Sequence, residues 1–165
     1  MVRVLRESKI ASYVLLFARL YLGWAWLTAG WGKVRGDFDA TGYLQGAIEL
    51  ASGDHPAVQS WWAAFLEHVA LPHVGLFNVL VSWGEVLVGI GLLLGALTTF
   101  SALMGIVMNF AFLFSGTTST NPQMVLITFF LLVAGYNAGR IGLDRWIIPA
   151  WRALRGHEDE QSIGG

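Results

Sequence analysis

Four long apolar runs constrain this chain more than any other feature. They predict membrane-spanning helices at residues 11–32, 73–95, 97–115 and 122–143, because a helix needs about 20 apolar residues to cross a bilayer. Of the 165 residues, 55% are hydrophobic and only 13% are charged. The expected fold is therefore all-α, an integral membrane four-helix antiparallel bundle that forms a single domain over residues 1–165.

The distribution of charge predicts how these helices are oriented. Basic residues precede the first run and follow the fourth, whereas segment 33–71 carries five acidic residues against Lys33 and Arg35. Basic flanks favour the cytoplasmic side of a membrane. We therefore expect both termini and the tail 144–165 in the cytoplasm, and segment 33–71 outside.

The external segment is expected to contain one or two short amphipathic helices. Residues 56–71 place most of their apolar side chains on one face, which is typical of a helix lying on a membrane surface. Residues 39–51 form a second candidate. After the third run, a polar turn leads into Pro122, a residue favoured at the first position of a helix.

Three polar residues inside the apolar runs are the main candidates for catalysis. Arg19, Glu85 and Asn109 each lie roughly 12 to 17 Å from a predicted cytoplasmic end, at 1.5 Å of rise per residue. Charged groups at such depth are costly and need partners. We predict an ion pair between Arg19 and Glu85, with Asn109 hydrogen-bonded to it. Two interpretations stay open: a buried strut that fixes helix register, or a site for the polar head of a quinone, where Glu85 would carry protons.

Two further groups are candidates for binding. An aromatic quinone pocket is predicted from Trp24, Trp31, Trp83 and Phe110, although aromatic belts are also common at membrane interfaces. A substrate site for a small oxyanion is predicted outside, from Lys33, Ser119 and Asn121, because a cation beside a helix N-terminus attracts anions.

A third group of polar residues is expected to be structural. Asn137, Arg140 and Asp144 follow the fourth run, and we predict that they cap its helix and pair with one another locally. Residues near the end of a helix commonly bond its last carbonyls.

Several classes of chemistry are excluded. The chain has no cysteine, which removes disulfides, thiolate nucleophiles and iron–sulfur clusters. Its four histidines leave no deep axial pair for haem, and no metal site is expected. The net charge of −1 does not favour nucleic acid as a partner.

Several motifs are specific enough to indicate a family. They are LGWAWLTAGWGK at 22–33, DFDA at 37–40, WGEVLVGIG at 83–91, MNF at 108–110, SGTTSTNP at 115–122 and GYNAGRIGLDR at 135–145. Together they resemble the DoxX/DoxD family of small prokaryotic four-helix membrane proteins. The resemblance implies a multi-pass protein of the prokaryotic plasma (inner) membrane.

The resemblance also implies a function. DoxX-like chains are membrane subunits of redox systems, and the DoxD branch supplies the small subunit of a thiosulfate:quinone oxidoreductase, which joins two thiosulfates into tetrathionate. It implies quinone as the cofactor, and as partners the bilayer, a second redox subunit and further copies of the chain. Whether the chain is itself an enzyme stays open. The alternative is a non-enzymatic membrane scaffold that anchors soluble redox or stress-response enzymes.

Overall fold

A computed structural model describes the backbone of residues 1–163 and the side chains of residues 1–154. Every regular element in that part of the chain is helical, which confirms the all-α expectation. The helices are α1 (Val2–Glu7), α2 (Lys9–Arg35), α3 (Thr41–Glu49), α4 (Ser60–Phe65), a π-helical turn (Leu66–Ala70), α5 (Val74–Leu94), α6 (Thr98–Phe114), α7 (Asn121–Ala134), α8 (Tyr136–Gly139) and α9 (Asp144–Ile163).

The four long apolar helices pack side by side around one core. Helix α5 packs against α2 and α6, and α7 packs against α6 and α2. Leu22, Trp26, Leu92, Ala102 and Leu131 lie in this core with exposed fractions of 3% or less. Burial of such side chains from all four helices joins them into one hydrophobic unit.

Helices α2 and α5 approach each other closely at glycines. A methyl group added at Gly30 would lie 2.7 Å from the backbone nitrogen of Val86, and one at Gly23 would lie 2.8 Å from Leu93. Gly89 faces Leu27 at similarly short range. Small residues at these positions are what allow the two backbones to come so near.

Three of the four predicted apolar helices agree with the structure. Helix α2 extends a few residues beyond 11–32 at both ends, while α5 and α6 are each one residue shorter at both ends than 73–95 and 97–115. Among the described residues, α2 and α5 are long and apolar enough to cross a membrane, by length and composition alone. Helices α6 and α7 are apolar but shorter.

The fourth prediction is wrong at its C-terminal end. The apolar run continues to residue 143, but α7 ends at Ala134. Gly135 has φ 57° and ψ −126°, a conformation that interrupts the helical hydrogen bonds and that glycine adopts most readily. The short helix α8 then begins at Tyr136.

Both short helices predicted in the external segment are present as α3 and α4. The residues 66–70 that follow α4 form the π-helical turn. Leu66 and Ala70 from this turn are buried against Ala40, Leu44 and Ala47. The segment therefore has a small core of its own and covers one end of the long helices.

Candidate functional site

An ion pair between Lys33 and Glu85 is the most polar feature inside the packed helices. Lys33 Nζ donates to Glu85 Oε2 at 2.6 Å. The Glu85 side chain is 2% exposed, while that of Lys33 keeps 24%. The predicted ion pair between Arg19 and Glu85 is therefore wrong, because the cation that reaches this carboxylate comes from the other end of α2.

Arg19 is buried elsewhere and bonds to backbone carbonyls. Its Nη2 donates to Ile141 O at 2.7 Å and its Nη1 to Ala138 O at 3.3 Å. These bonds fasten the chain around α8 to the middle of α2. The geometry favours the strut interpretation for Arg19.

The offset between α2 and α5 explains the error. Arg19 lies against Gly95, just beyond the end of α5, whereas Gly30 lies against the Cβ of Glu85. Glu85 is ten residues before Gly95, which is roughly 15 Å along a helix. Counting depth from the cytoplasmic end of each apolar run therefore placed the two charges at one level, because α2 extends past the end of α5.

A cavity of about 340 Å³ adjoins Lys33, and we refer to it as the Lys33 cavity. Its apolar wall is formed by Ala25, Trp26, Ala29, Phe38, Phe112 and Met124. Its polar lining is formed by Lys33, Tyr43, Thr117, Ser119, Thr120 and Asn121. The structure thus brings together all three residues predicted to bind substrate, Lys33, Ser119 and Asn121. The side-chain nitrogen of Asn121 is engaged by Thr117 O at 3.0 Å, so this amide also shapes the turn.

Segment 33–71 covers this cavity at the end of α6. The hydroxyls of Tyr43 and Thr117 lie 3.0 Å apart, and Trp62 Nε1 donates to Ser115 Oγ at 2.9 Å. The Lys33 ammonium lies over the ring of Phe38, 5.6 Å from its centroid. These contacts make the segment a wall of the site rather than a free loop.

Asp39 fixes the start of this covering segment. Its carboxylate accepts hydrogen bonds from the hydroxyl and the backbone nitrogen of Thr41 and from Asn78 Nδ2. These bonds, chiefly the one from the Thr41 hydroxyl, lower the pKa of Asp39 below its ordinary value. Because the pKa is lowered, these hydrogen bonds stabilise the folded protein at neutral pH, and this contribution is lost as pH falls through the lowered pKa.

Asn109 is fully buried on α6, and neither its Oδ1 nor its Nδ2 has a hydrogen-bond partner. Trp26 Nε1 is also buried without a partner. Gly105, one turn before Asn109, faces Trp26, which belongs to the cavity wall. Buried unpaired polar atoms are uncommon in proteins. Asn109 therefore lies on the α6 face that is turned towards Trp26 and backs the Lys33 cavity.

The aromatic residues predicted to form a quinone pocket are on the outside of the molecule. Their exposed fractions range from 41% for Phe110 to 64% for Trp24. Trp24 and Trp31 line a shallow groove on α2, and Arg35 stacks over Trp31 at 4.9 Å. Trp83 and Phe110 line neither this groove nor the Lys33 cavity.

Asn137 and Asp144 hold distant parts of the chain together. Asn137 Nδ2 donates to Leu5 O at 2.7 Å and to Ser8 O at 3.1 Å, at the end of α1. Asp144 accepts from the backbone nitrogens of Leu97 and Thr98 at 2.7 and 2.8 Å. The prediction that these residues cap the fourth long helix is wrong, because Gly135 ends that helix first and frees them for other elements. Arg140, expected to pair with them, instead lines a second cavity at the start of α2.

The comparisons with known proteins bear on this geometry. A model of the DoxX family matches residues 14–118, well over half of the chain. The chain belongs to the DoxX family. This membership makes it a membrane-associated protein of the redox-associated DoxX type. The matched region contains the Lys33–Glu85 pair and Asn109 and ends just before Ser119. Comparison with curated proteins and with solved structures gave no match.

Sequence reasoning missed the residues that close the Lys33 cavity. Phe38 and Tyr43 form part of its wall, and Thr117 bonds to Tyr43. The aromatic prediction was restricted to the long runs, so it passed over the external segment. The motif DFDA and the conspicuous Tyr43 beside it were the available signals.

Proposed function

We propose that this DoxX protein is a membrane-embedded subunit of a redox system and that the Lys33 cavity binds the head of a quinone. The observation that carries the proposal is a cavity of about 340 Å³ with an apolar wall and one partly buried cation, Lys33. Small-molecule sites typically span about 300 to 1,000 Å³ and combine apolar walls with a few polar groups. The cavity belongs to this class.

The donor groups of the cavity suit a neutral carbonyl ligand. An ammonium has three N–H donors, and Glu85 occupies one of those of Lys33, which leaves others for a ligand oxygen. Trp26 and Phe112 offer ring faces and edges against which a planar head could pack. The Lys33–Glu85 pair carries no net charge, so a dianion such as thiosulfate would find little electrostatic attraction here.

A bound quinone would supply the capacity to take up two electrons and two protons, becoming a quinol. The Lys33 ammonium would hold the carbonyl oxygen and stabilise negative charge that develops on it. It could then pass a proton to that oxygen and regain one from water at its exposed side, while the Glu85 carboxylate 2.6 Å away favours the charged ammonium. If thiosulfate is the donor, joining two thiosulfates through a new S–S bond releases the two electrons, and we assign that step to a second subunit.

We further propose that α2, α5, α6 and α7 all cross the membrane as an antiparallel four-helix bundle. Helices α6 and α7 have 17 and 14 residues, about 26 and 21 Å at 1.5 Å per residue, against a hydrocarbon core of about 30 Å. Helix α8 and the following loop would complete the fourth crossing beside Arg19. Basic flanks favour a cytoplasmic position for the start of α2 and for α9.

The test is to fill the cavity without disturbing the core. Ala29 lines the cavity but is exposed, so Ala29→Phe places a ring in the cavity without overpacking buried residues. Purified protein is titrated with a short-chain ubiquinone analogue, followed by quenching of tryptophan fluorescence. We expect saturable binding by the wild type and at least tenfold weaker binding by Ala29→Phe.

The matched control is Ala64→Phe, the same change at an exposed position of α4 outside the cavity lining. It should bind as the wild type does. Equal binding by all three proteins, or no saturable binding by any, would overturn the quinone site. That outcome would support the alternative of a membrane scaffold, for which the exposed residues Arg145, Trp146 and Arg152 of α9 provide a docking face.

A further inference from the structure

A second cavity, of about 390 Å³, lies at the opposite end of the molecule from the covering segment. It is formed between the first turns of α2 and the chain from α8 to the start of α9. Lys9, Arg140 and Arg145 line it together with Ser12, Tyr13 and Tyr136. We refer to it as the basic cavity.

We propose that the basic cavity binds the phosphate headgroup of an anionic membrane lipid. Its lining contains three cations and no carboxylate. The ion pairs found among the described side chains are Arg3–Glu7 and Lys33–Glu85, so these three cations are not neutralised by such pairs. Basic pockets between membrane helices on the cytoplasmic side are suited to anionic headgroups.

The backbone next to Arg140 and Arg145 is held in place by the surrounding fold. Arg19 bonds to the carbonyls of Ala138 and Ile141, on either side of Arg140. Asp144, next to Arg145, is fixed by two backbone amides of the α5–α6 turn. The backbone that carries the two arginines is therefore fixed before a ligand arrives, which lowers the entropic penalty of binding.

The surroundings favour a lipid over a free phosphate ion. Tyr13 is 60% exposed at the rim, and Phe17, one turn further along the same face of α2, is 71% exposed. Val14 beside them is 64% exposed. An acyl chain attached to a headgroup in the cavity would lie along this apolar strip, whereas inorganic phosphate would gain nothing from it. Tyrosine is also enriched at headgroup depth.

The experiment compares lipids and variants by native mass spectrometry of protein released from neutral detergent. The probes are phosphatidylglycerol, phosphatidylcholine of the same chain length, and inorganic phosphate. We expect wild type to retain phosphatidylglycerol at least tenfold more tightly than the other two. The double variant Arg140→Gln/Arg145→Gln should bind it about 30-fold more weakly, since each basic side chain near an anionic surface contributes about fivefold.

A double variant that removes two exposed arginines outside the cavity, Arg3→Gln/Arg152→Gln, is the matched control and should retain wild-type affinity. Lys9→Gln, at the exposed start of α2, provides a single change that spares α8 and α9 if the double variant fails to fold, and should weaken binding about fivefold. Equal loss in the control, no preference over phosphatidylcholine, or equally tight binding of inorganic phosphate would each overturn the proposal. None of these outcomes bears on the quinone site, which is at the other end of α2.

Discussion

Glu85 and Lys33 illustrate how a single buried charge organises its neighbourhood. The carboxylate is almost completely removed from solvent, so its charge must be compensated within the protein. Lys33 supplies that compensation while its side chain still borders a cavity. The same ammonium thus has a structural partner on one side and space for a ligand on the other.

Removing only one member of this pair should destabilise the protein. Lys33→Met leaves the Glu85 carboxylate buried and unpaired, and breaking a buried pair in this way costs about 3 kcal/mol or more. The double variant Lys33→Met/Glu85→Gln should recover most of that loss. Thermal unfolding in detergent, followed by circular dichroism, measures both.

The control for that pair is Arg35→Met, which removes a cation that stacks on Trp31. Exposed interactions of that kind contribute about 1 kcal/mol or less. If Lys33→Met is no more destabilising than Arg35→Met, or if the double variant is as unstable as Lys33→Met, the pair has no structural role.

The sequence identified the important residues at this scale but not their partners. A charge inside an apolar run stands out because of its desolvation cost, which is how Arg19, Glu85 and Asn109 were found. The identity of each partner depends on how far one helix slides along the next. The position of Lys33 after the first apolar run grouped it with the residues of segment 33–71. Its pairing with Glu85 becomes evident only when the offset between α2 and α5 is known.

At the scale of elements, close contact between α2 and α5 depends on glycines that face the partner backbone. The G-x-x-x-G spacings that lie wholly within the apolar runs, at 91/95 and 135/139, are elsewhere: Gly95 contacts Arg19 and Gly139 contacts Asp144. The contact between α2 and α5 uses Gly23 and Gly30, which are seven residues apart. Seven residues correspond to about two helical turns, so both glycines face α5.

A methyl group at Gly30 should separate these helices. The added carbon would lie 2.7 to 2.8 Å from Val86 N, Glu85 Cβ and Ser82 O, mostly backbone atoms that cannot move independently. Gly30→Ala is therefore expected to destabilise the protein by about 1 to 3 kcal/mol, in the range for overpacked sites. Thermal unfolding in detergent again provides the measurement.

Gly32→Ala tests the same substitution two residues away on the same helix. Nothing lies within 4 Å of the carbon it would add, so packing is unaffected and helix propensity improves. It should be neutral or slightly stabilising. A Gly30→Ala protein as stable as Gly32→Ala would contradict the close-packed interface.

The ends of helices were predictable where the apolar run also ends. Apolar runs bounded by Gly95 or by the polar turn before Pro122 gave helix ends to within a few residues. The break at Gly135 was hidden, because apolar residues continue on both sides and hydropathy does not report backbone conformation. The all-helical class itself followed directly from the length of the runs.

At the scale of the whole molecule, the proposed arrangement places the covering segment outside the cell and α9 inside. The chain has no cysteine, so single cysteines can report on each side without a background. Ala57→Cys in the covering segment should react with a membrane-impermeant maleimide on intact cells. Ala153→Cys in α9 should react only after permeabilisation. Both positions are exposed.

The reverse pattern would invert the orientation, and labelling of both sites on intact cells would place both on the outside. In either case the charge-based orientation would be wrong while the packing of the helices would stand. The Lys33 cavity and the basic cavity would then exchange compartments.

Contacts between residues far apart in the chain also determine when, during synthesis, folding can be completed. The carbonyls that receive the Arg19 guanidinium are 119 and 122 residues further along, and the carboxylate that caps α6 is 46 residues beyond Thr98. If α2 spans the membrane as proposed, Arg19 enters it during synthesis before its acceptors have been made. The nascent chain has to shelter that charge until residues 138–144 leave the ribosome. Once these residues are present, they bind the Arg19 guanidinium. A chain truncated before them would leave Arg19 without its acceptors, and we expect cellular quality control to recognise it.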